Sequence, residues 1–365
     1  MKKLIALCLS VLMLLSMAAC AQKQPQTEPE TTAPASEAEP AAETQQTQAP
    51  EEKGGYKVAF VNFSLGNSYR VQLQEEFIAQ AEAYKAEGIV SEYYVTNSDG
   101  DIAQQIADVR DMITKGVNAI CITACSDTAL APVCEEAVDA GIAVVDFDNM
   151  VASDKLTSSI RVDEYEFGRV GMQWLAEELG GKGSIVCLNY ETGTPTNDAR
   201  RAGVQSVLDE YPEIQVLGEA DAECDYATGK AAMESFLSAY GDQINGVWSL
   251  GGAMTQGAVD AYNAGGYALV PMTGEGNNGF LRTWKENSEA GFTSIAPSFT
   301  TATSAIALRT AVQWLNGEEV EPIIYVDLSV VTEDTLDEYY APDMPDSYWV
   351  FTELSEEALA KLYAN

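Results

Sequence analysis

Short apolar runs rich in β-branched residues alternate with longer amphipathic segments from Tyr56 onwards. The first series contains the runs YKVAFVNF, IVSEYYVT, NAICITA and IAVVDF, each separated from the next by a segment of helical length. A second series with the same order begins near Val162 and contains SIVCLNY, IQVLGEA, GVWSL and YALVPMT. This alternation predicts parallel α/β structure. We therefore expect two doubly wound parallel-sheet lobes.

The length of this region also favours two lobes. The region from Tyr56 to Asn365 has about 310 residues, which is more than one hydrophobic core usually supports. Open parallel sheets bind ligands at the carboxyl ends of their strands. With two such sheets, the expected site is the cleft between the lobes.

Charge and composition exclude several functions. The chain carries 20 Lys and Arg against 56 Asp and Glu, a net charge of −36, so nucleic acid is not an expected partner. It contains no histidine, the commonest general base and a frequent zinc ligand. No nucleophile with a base and no metal-ligand pattern stands out. We therefore expect no enzyme activity, no cofactor and no metal.

The first 20 residues, MKKLIALCLSVLMLLSMAAC, have the order of an export signal. Lys2 and Lys3 precede an apolar stretch, and two alanines precede Cys20. The end of the segment resembles the lipobox of bacterial lipoproteins, with Met17 in place of the usual Leu. We predict a signal peptide over 1–19, lipidation of Cys20 and anchoring to the outer face of the cytoplasmic membrane, in a single-membrane bacterium. A secretory signal followed by a coincidental cysteine is the alternative.

Residues 20–55 form an acidic segment rich in Pro, Thr, Gln and Glu, which contains no aromatic and no large aliphatic residue. Such a composition cannot build a core and predicts a disordered tether.

The five other cysteines of the mature chain do not suggest a disulfide framework. Cys121 and Cys187 lie in apolar strand-like runs, where a thiol behaves as a small hydrophobic group. The spacing of Cys121 and Cys125 matches no usual structural zinc site. We expect mostly free, structural thiols.

The turn GEGNNG at 274–279 fits the dinucleotide-binding pattern GxGxxG, but it comes late in the chain. No suitable acidic residue follows the next strand, so a turn that faces a ligand is the preferred interpretation.

Four segments resemble the type I periplasmic sugar-binding proteins, which are the ribose, galactofuranose and autoinducer-2 receptors of ABC importers. They are KVAFVNFSLGNSYRVQLQEEFIAQAEAY, DIAQQIADVRDMITKGVNAICI, GIAVVDFDN and ETGTPTNDARRAGVQSVLDEYPEIQV. The resemblance covers 56–331. It implies a first lobe of 56–161 plus 297–325, a second lobe of 162–296 plus 326–365, and three hinge strands crossing near 161–162, 295–296 and 325–327.

The resemblance also implies the residues that bind the ligand, of which Tyr69, Arg70 and Asp148 form the set we favour most. The full set is Phe63, Asn67, Tyr69, Arg70, Asp148, Asn149, Asp198, Arg200, Cys224, Gly251, Glu275 and Pro297. Aromatic faces pack against the C–H surface of a sugar ring, and planar Asp, Asn and Arg groups make paired hydrogen bonds to its hydroxyls.

Five positions depart from the pattern of ribose receptors. Asn149 and Asp198 stand where those receptors carry Arg, Gly251 where they carry Asn, Gly276 where they carry Asp, and Pro297 where they carry Gln. The pocket is therefore not expected to be a ribose pocket. The two glycines leave room for a larger ligand, provided that neighbouring side chains do not fill the space.

Together these features predict a monomeric, lipid-anchored receptor of an ABC importer that captures a small polar ligand, most simply a sugar, by closing its lobes. Its partners would be a permease and an ATPase. Two alternatives stay open, namely a sensory receptor of the same fold and an importer receptor for a nucleoside or an amino acid.

Overall fold

The computed structural model describes residues 54–190 and 192–364. The predicted signal peptide, Cys20 and the predicted tether up to residue 53 lie outside these residues. The strands are β1 (Tyr56–Asn62), β2 (Val90–Asn97), β3 (Ala119–Ile122), β4 (Ala143–Phe147), β5 (Ser158–Val162), β6 (Lys182–Asn189), β7 (Glu213–Asp221), β8 (Gly246–Ser249), β9 (Met272–Thr273), β10 (Ser294–Ser298), β11 (Ile323–Val326) and β12 (Ser329–Val331). The helices are α1 (Ser68–Ala86), α2 (Ile102–Lys115), α3 (Asp127–Asp139), α4 (Glu164–Glu178), α5 (Pro195–Glu210), α6 (Tyr226–Tyr240), α7 (Gly252–Gly265), α8 (Asn278–Ser288), α9 (Thr303–Leu315), α10 (Leu336–Tyr339) and α11 (Glu356–Leu362).

The described strands form two sheets. The first has the order β11-β5-β4-β3-β1-β2 and the second the order β12-β10-β9-β8-β6-β7. All pairings are parallel except that of β12, which runs antiparallel to β10. We call the first sheet with α1, α2, α3 and α9 the first lobe, and the second sheet with α4 to α8 the second lobe. The predicted fold of two parallel-sheet α/β lobes is confirmed.

The chain passes between the sheets at three places. It leaves β5 of the first sheet at Asp163 and enters the second lobe, returns over 299–302, and leaves β11 over 327–328. The second passage lies later than the resemblance implies, because β10 continues to Ser298. Pro297 is paired with Val330 in the second sheet, not in the first lobe.

Helix caps place site residues at the carboxyl ends of the strands. The side chain of Asn67 accepts a hydrogen bond from the backbone N–H of Arg70 at 3.0 Å and so begins α1. Asp163 begins α4 by accepting from the backbone N–H of Glu166 at 2.9 Å. These caps fix Arg70 and Glu164 in the first turns of their helices.

The run YALVPMT is expected to form a full strand, but only Met272–Thr273 does. Pro271 has no N–H to donate to a neighbouring strand, although its carbonyl accepts from Val247. None of the described helices is both long and apolar enough to cross a bilayer.

The C-terminal residues contact both lobes. Leu336 belongs to the core of the second lobe, whereas α11 packs against α1 of the first. The resemblance assigns 326–365 to the second lobe alone, and the structure places part of this segment on the first lobe as well.

Candidate functional site

Three residues of the first lobe meet at the carboxyl ends of β1 and β4. Nη1 of Arg70 lies 2.8 Å from Oδ2 of Asp148, and these side chains are only 13% and 22% exposed. The guanidinium of Arg70 also lies 3.9 Å from the ring centroid of Phe63. Thr123 donates its hydroxyl proton to Oδ2 of Asp148 at 3.1 Å. We call Phe63, Arg70 and Asp148 the first-lobe cluster.

Local backbone structure holds this cluster in place. Asp148 has a φ of +61°, a left-handed conformation that Asp and Asn tolerate better than most residues. The hydroxyl of Thr123 also accepts from the backbone N–H of Asn149 at 3.3 Å, so Asn149 lies beside the cluster. Asn67 is exposed and acts as the cap of α1.

A second cluster lies in the second lobe around the buried side chain of Arg200, which is 8% exposed. Its Nε donates to Oε2 of Glu164 at 2.5 Å, and its Nη1 donates to the carbonyl of Leu250 at 3.2 Å. The same Nη1 lies 3.6 Å from Oε1 of Glu275. The guanidinium stacks 3.6 Å from the ring centroid of Phe167. We call Glu164, Phe167, Arg200 and Glu275 the second-lobe cluster.

Burial perturbs the charges of this cluster. It raises the pKa of Glu275 to about 7, an effect that Arg200 opposes and the negative Glu164 reinforces. Burial disfavours the charge of Arg200, but the carboxylates of Glu164 and Glu275 outweigh it and raise the pKa of this guanidinium. Arg200 therefore stays charged, whereas Glu275 changes charge near neutral pH.

The charges of both clusters act on the hydroxyl of Tyr69. Its hydroxyl donates to the carbonyl of Thr300 at 3.1 Å, within the second passage between the lobes. Burial raises the pKa of Tyr69, and the negative charges of Asp148 and Glu275 raise it further. One of these carboxylates belongs to each lobe, so Tyr69 lies close to charged groups of both lobes.

Cys224 and Gly251 border the second-lobe cluster. Cys224 is exposed and has a φ of +54°. A Cβ atom on Gly251 would lie 3.4 Å from Sγ of Cys224 and 3.7 Å from Oε2 of Glu275. The space left by this glycine is therefore small and bounded by site residues.

Gly276, the second of the two glycines, provides no additional room for a ligand. A Cβ atom on Gly276 would lie 2.9 Å from Oγ of Ser298 and 3.3 Å from the ring of Phe351. These two side chains fill the space that a side chain at position 276 would take.

Two expected residues lie outside the contacts that form the clusters. Asp198 is exposed in the first turn of α5, whereas Pro297 is buried within β10. Their roles as ligand residues stay predictions.

Sequence reasoning missed Glu164, Phe167 and Trp349. Glu164 and Phe167 lie three residues apart in the first turn of α4, directly after the chain enters the second lobe. Their position was a usable signal, since residues i and i+3 share one face of a helix. Trp349 contacts Tyr69 edge-on, with ring centroids 5.1 Å apart, and lies in a segment for which the resemblance offers no pattern.

Both clusters have the same construction, an arginine that stacks on an aromatic ring and pairs with a carboxylate. Such groups offer fixed donors and acceptors in one plane, which suits adjacent hydroxyls of a polyol. Residues 54–190 and 192–364 contain no group of three or more Cys, Asp or Glu suited to hold a metal ion.

Comparison with known proteins identifies the family. Residues 58–319 match the periplasmic binding protein domain family. The chain belongs to the type I periplasmic sugar-binding proteins. Relatives include the xylitol-binding protein of Mycolicibacterium smegmatis, 28% identical over 66% of this chain and 68% of the relative. The ribose import binding protein of Bacillus subtilis is 24% identical over 74% of this chain and 85% of the relative.

Solved structures of the family share the fold. The binding component of the arabinose transporter from Shewanella sp. ANA-3, bound to L-arabinofuranose, has a TM-score of 0.68 and 26% identity, and the match covers 78% of this chain and 94% of that one. A solute-binding protein from Bacillus halodurans with bound myo-inositol has a TM-score of 0.69 and 23% identity, with 82% and 100% covered. Both are solute-binding proteins of ABC transporters.

Proposed function

We propose that this protein captures a neutral monosaccharide or small polyol between its lobes and delivers it to an ABC permease. The observation that carries the proposal is the pair of arginine–carboxylate clusters, Arg70 with Asp148 and Arg200 with Glu164, one on each lobe. Each arginine already has a carboxylate partner, so a neutral ligand with several hydroxyls fits the site better than an ionic one.

Closure of the lobes would bring both clusters onto one ligand. A ligand that contacts both lobes binds the closed state better than the open one and so shifts the population towards closure. The relatives named for xylitol and ribose, and the structures with L-arabinofuranose and myo-inositol, support this class of ligand.

A thermal-shift screen tests the ligand class. The purified protein is heated with D-ribose, L-arabinose, D-allose, myo-inositol or xylitol, and in parallel with nucleosides and amino acids. A ligand that binds only the folded state raises the melting temperature by mass action. Arg70→Ala is expected to lose the shift, whereas the surface variant Arg110→Ala keeps it. A shift with amino acids or nucleosides alone would overturn the assignment.

We also propose that Cys20 carries the lipid anchor that keeps the receptor beside its permease. Cell fractionation of a Cys20→Ala variant checks this. The wild-type protein is expected in the membrane fraction and the variant in the medium or the soluble extracytoplasmic fraction. Equal membrane association of both proteins would contradict lipidation.

A further inference from the structure

Residues 341–354, here called the strap, are bound to the second lobe along the start of α8. The side chain of Asn278 donates to the carbonyls of Ala341 and Met344 at 2.8 and 2.9 Å. The backbone N–H of Asn278 donates to the carbonyl of Tyr348 at 2.7 Å, and that of Val350 donates to the carbonyl of Gly276 at 3.1 Å.

The strap is bound equally closely to α1 of the first lobe. The side-chain amide of Gln72 donates to the backbone carbonyl of Trp349 and accepts from the backbone N–H of Trp349, both at 2.9 Å. Glu76 accepts hydrogen bonds from the hydroxyl of Thr352 and from the N–H of Glu353. Gln72 and Glu76 are buried polar residues. A buried polar side chain is costly without partners, so α1 is built to hold this segment.

The strap also runs beside one of the three passages between the lobes. The carbonyl of Phe351 accepts from the N–H of Thr301 and from the hydroxyl of Thr300, both at 3.0 Å. Trp349 is bonded to the first lobe, whereas its neighbour Val350 is bonded to the second. A rotation of one lobe against the other therefore acts on the backbone of Trp349.

The ring of Trp349 meets the candidate site. Its indole N–H donates to the hydroxyl of Ser68 at 3.0 Å, and its ring packs edge-on against Tyr69 at 5.1 Å between centroids. The hydroxyl of Tyr69 is bonded to Thr300. Tyr69 is thus held at its hydroxyl by a passage between the lobes and at its ring by the strap.

We propose that the strap is a fourth connection between the lobes and that Trp349 is a positioning residue, which fixes the ring of Tyr69 for ligand binding. The family match ends at residue 319 and does not include this segment. The role of Tyr69 in binding rests on the proposed function; the connection itself does not.

A double-mutant cycle tests the positioning role. Affinities for the carbohydrate with the largest thermal shift, among D-ribose, L-arabinose, D-allose, myo-inositol and xylitol, are measured by calorimetry for Trp349→Ala, Tyr69→Ala and the double variant. Trp349→Ala is expected to weaken binding roughly fivefold to tenfold, the size of an aromatic pair contact. In the Tyr69→Ala background the same change is expected to have little effect, since its target is gone.

Two single variants serve as controls. Trp349→Phe retains an aromatic edge against Tyr69 but loses the bond to Ser68, and is expected to recover most of the affinity. Trp314→Ala removes an exposed tryptophan of α9 and is expected to change nothing. Equal losses from Trp349→Ala in both Tyr69 backgrounds would overturn the positioning role.

A measurement without ligand separates this proposal from the proposed function. Hydrogen exchange of the peptide that covers 66–76 is compared among wild type, Trp349→Ala and Trp314→Ala. We expect faster exchange at the start of α1 in Trp349→Ala only, at a temperature where all three are folded. Unchanged exchange would show that the ring of Trp349 does not hold the start of α1 and would reject its positioning role. If no carbohydrate binds the wild type, the ligand class fails, while exchange still decides the contact of Trp349 with α1.

Discussion

Nη1 of Arg200 lies 3.6 Å from Oε1 of Glu275, whereas Nε of the same guanidinium lies 2.5 Å from Glu164. One buried cation is thus shared unequally between two carboxylates. Glu164 has the short hydrogen bond, and Glu275 has the longer contact in a site where burial raises its pKa to about 7. The charge of the second-lobe cluster therefore depends on the protonation of Glu275.

Glu275 makes stability depend on pH. Its pKa is about 7 in the fold against an ordinary value of 4.5. Its contribution to the free energy of unfolding is fully present below pH 4.5 and is lost as the pH rises to about 7, at no more than about 1.4 kcal/mol per pH unit. Glu275→Gln removes this dependence. We expect the melting temperature of wild type minus that of Glu275→Gln to fall between pH 5 and pH 7.

The exposed variant Glu92→Gln is the control, and its difference from wild type is expected to stay nearly constant over the same range. A difference for Glu275→Gln that is independent of pH would show that this carboxyl has an ordinary pKa in the fold.

The ion pair of Arg70 and Asp148 is expected to matter for binding more than for folding. Asp148→Asn keeps the shape and tolerates the φ of +61°, but leaves Arg70 without its charged partner. We expect a loss of affinity of at least about tenfold, because charged hydrogen bonds to the ligand are lost, and a fall in the free energy of unfolding of about 1 kcal/mol. Calorimetric titration and urea unfolding measure the two effects.

Arg110→Ala breaks an exposed ion pair with Glu136 and is the matched control. Full affinity in Asp148→Asn would place the ligand elsewhere.

The sequence alone predicts the two sheets from the alternation of strand-like and helical segments, whereas Arg70 and Asp148 are named as ligand residues only through the resemblance to sugar-binding proteins. It does not reveal the bond of Arg200 to Glu164, because the two residues are 36 positions apart on helices that only tertiary packing brings together. Gln72 and Glu76 are polar residues on the buried face of α1, where an amphipathic helix is expected to carry apolar residues. Their partners lie more than 200 residues later in the chain, beyond the reach of periodicity.

Glu76 is expected to anchor the strap to the first lobe. Its Oε1 accepts from the hydroxyls of Thr301 and Thr352 and from the N–H of Glu353. Glu76→Gln keeps that oxygen and is expected to fold with nearly unchanged stability. Glu76→Leu leaves the hydroxyl of Thr352 and the N–H of Glu353 without an acceptor, whereas the hydroxyl of Thr301 can still donate to the carbonyl of Phe351. We expect the free energy of unfolding to fall by about 3 kcal/mol.

Urea unfolding of both variants provides the measurement, and Glu87→Leu, at the exposed end of α1, shows the effect of an added apolar side chain alone. If Glu76→Leu unfolds at the urea concentration of the wild type, these hydrogen bonds do not hold the strap.

Cys224 offers a chemical probe of the second-lobe cluster. The residue is exposed, whereas Cys121, Cys134 and Cys187 are buried. Burial and the negative Glu275 raise the pKa of its thiol to about 12, however, the value to which burial raises the pKa of Cys134 and Cys187. With iodoacetamide at pH 8 and peptide mapping, we expect slow modification of Cys224 in the folded protein, because little of its thiol is ionised, and modification of the three buried thiols only after unfolding. Because Cys224 adjoins Gly251 and lies near Glu275, a saturating carbohydrate is expected to slow its modification. An unchanged rate at saturation would show that the ligand does not cover this side of the cleft.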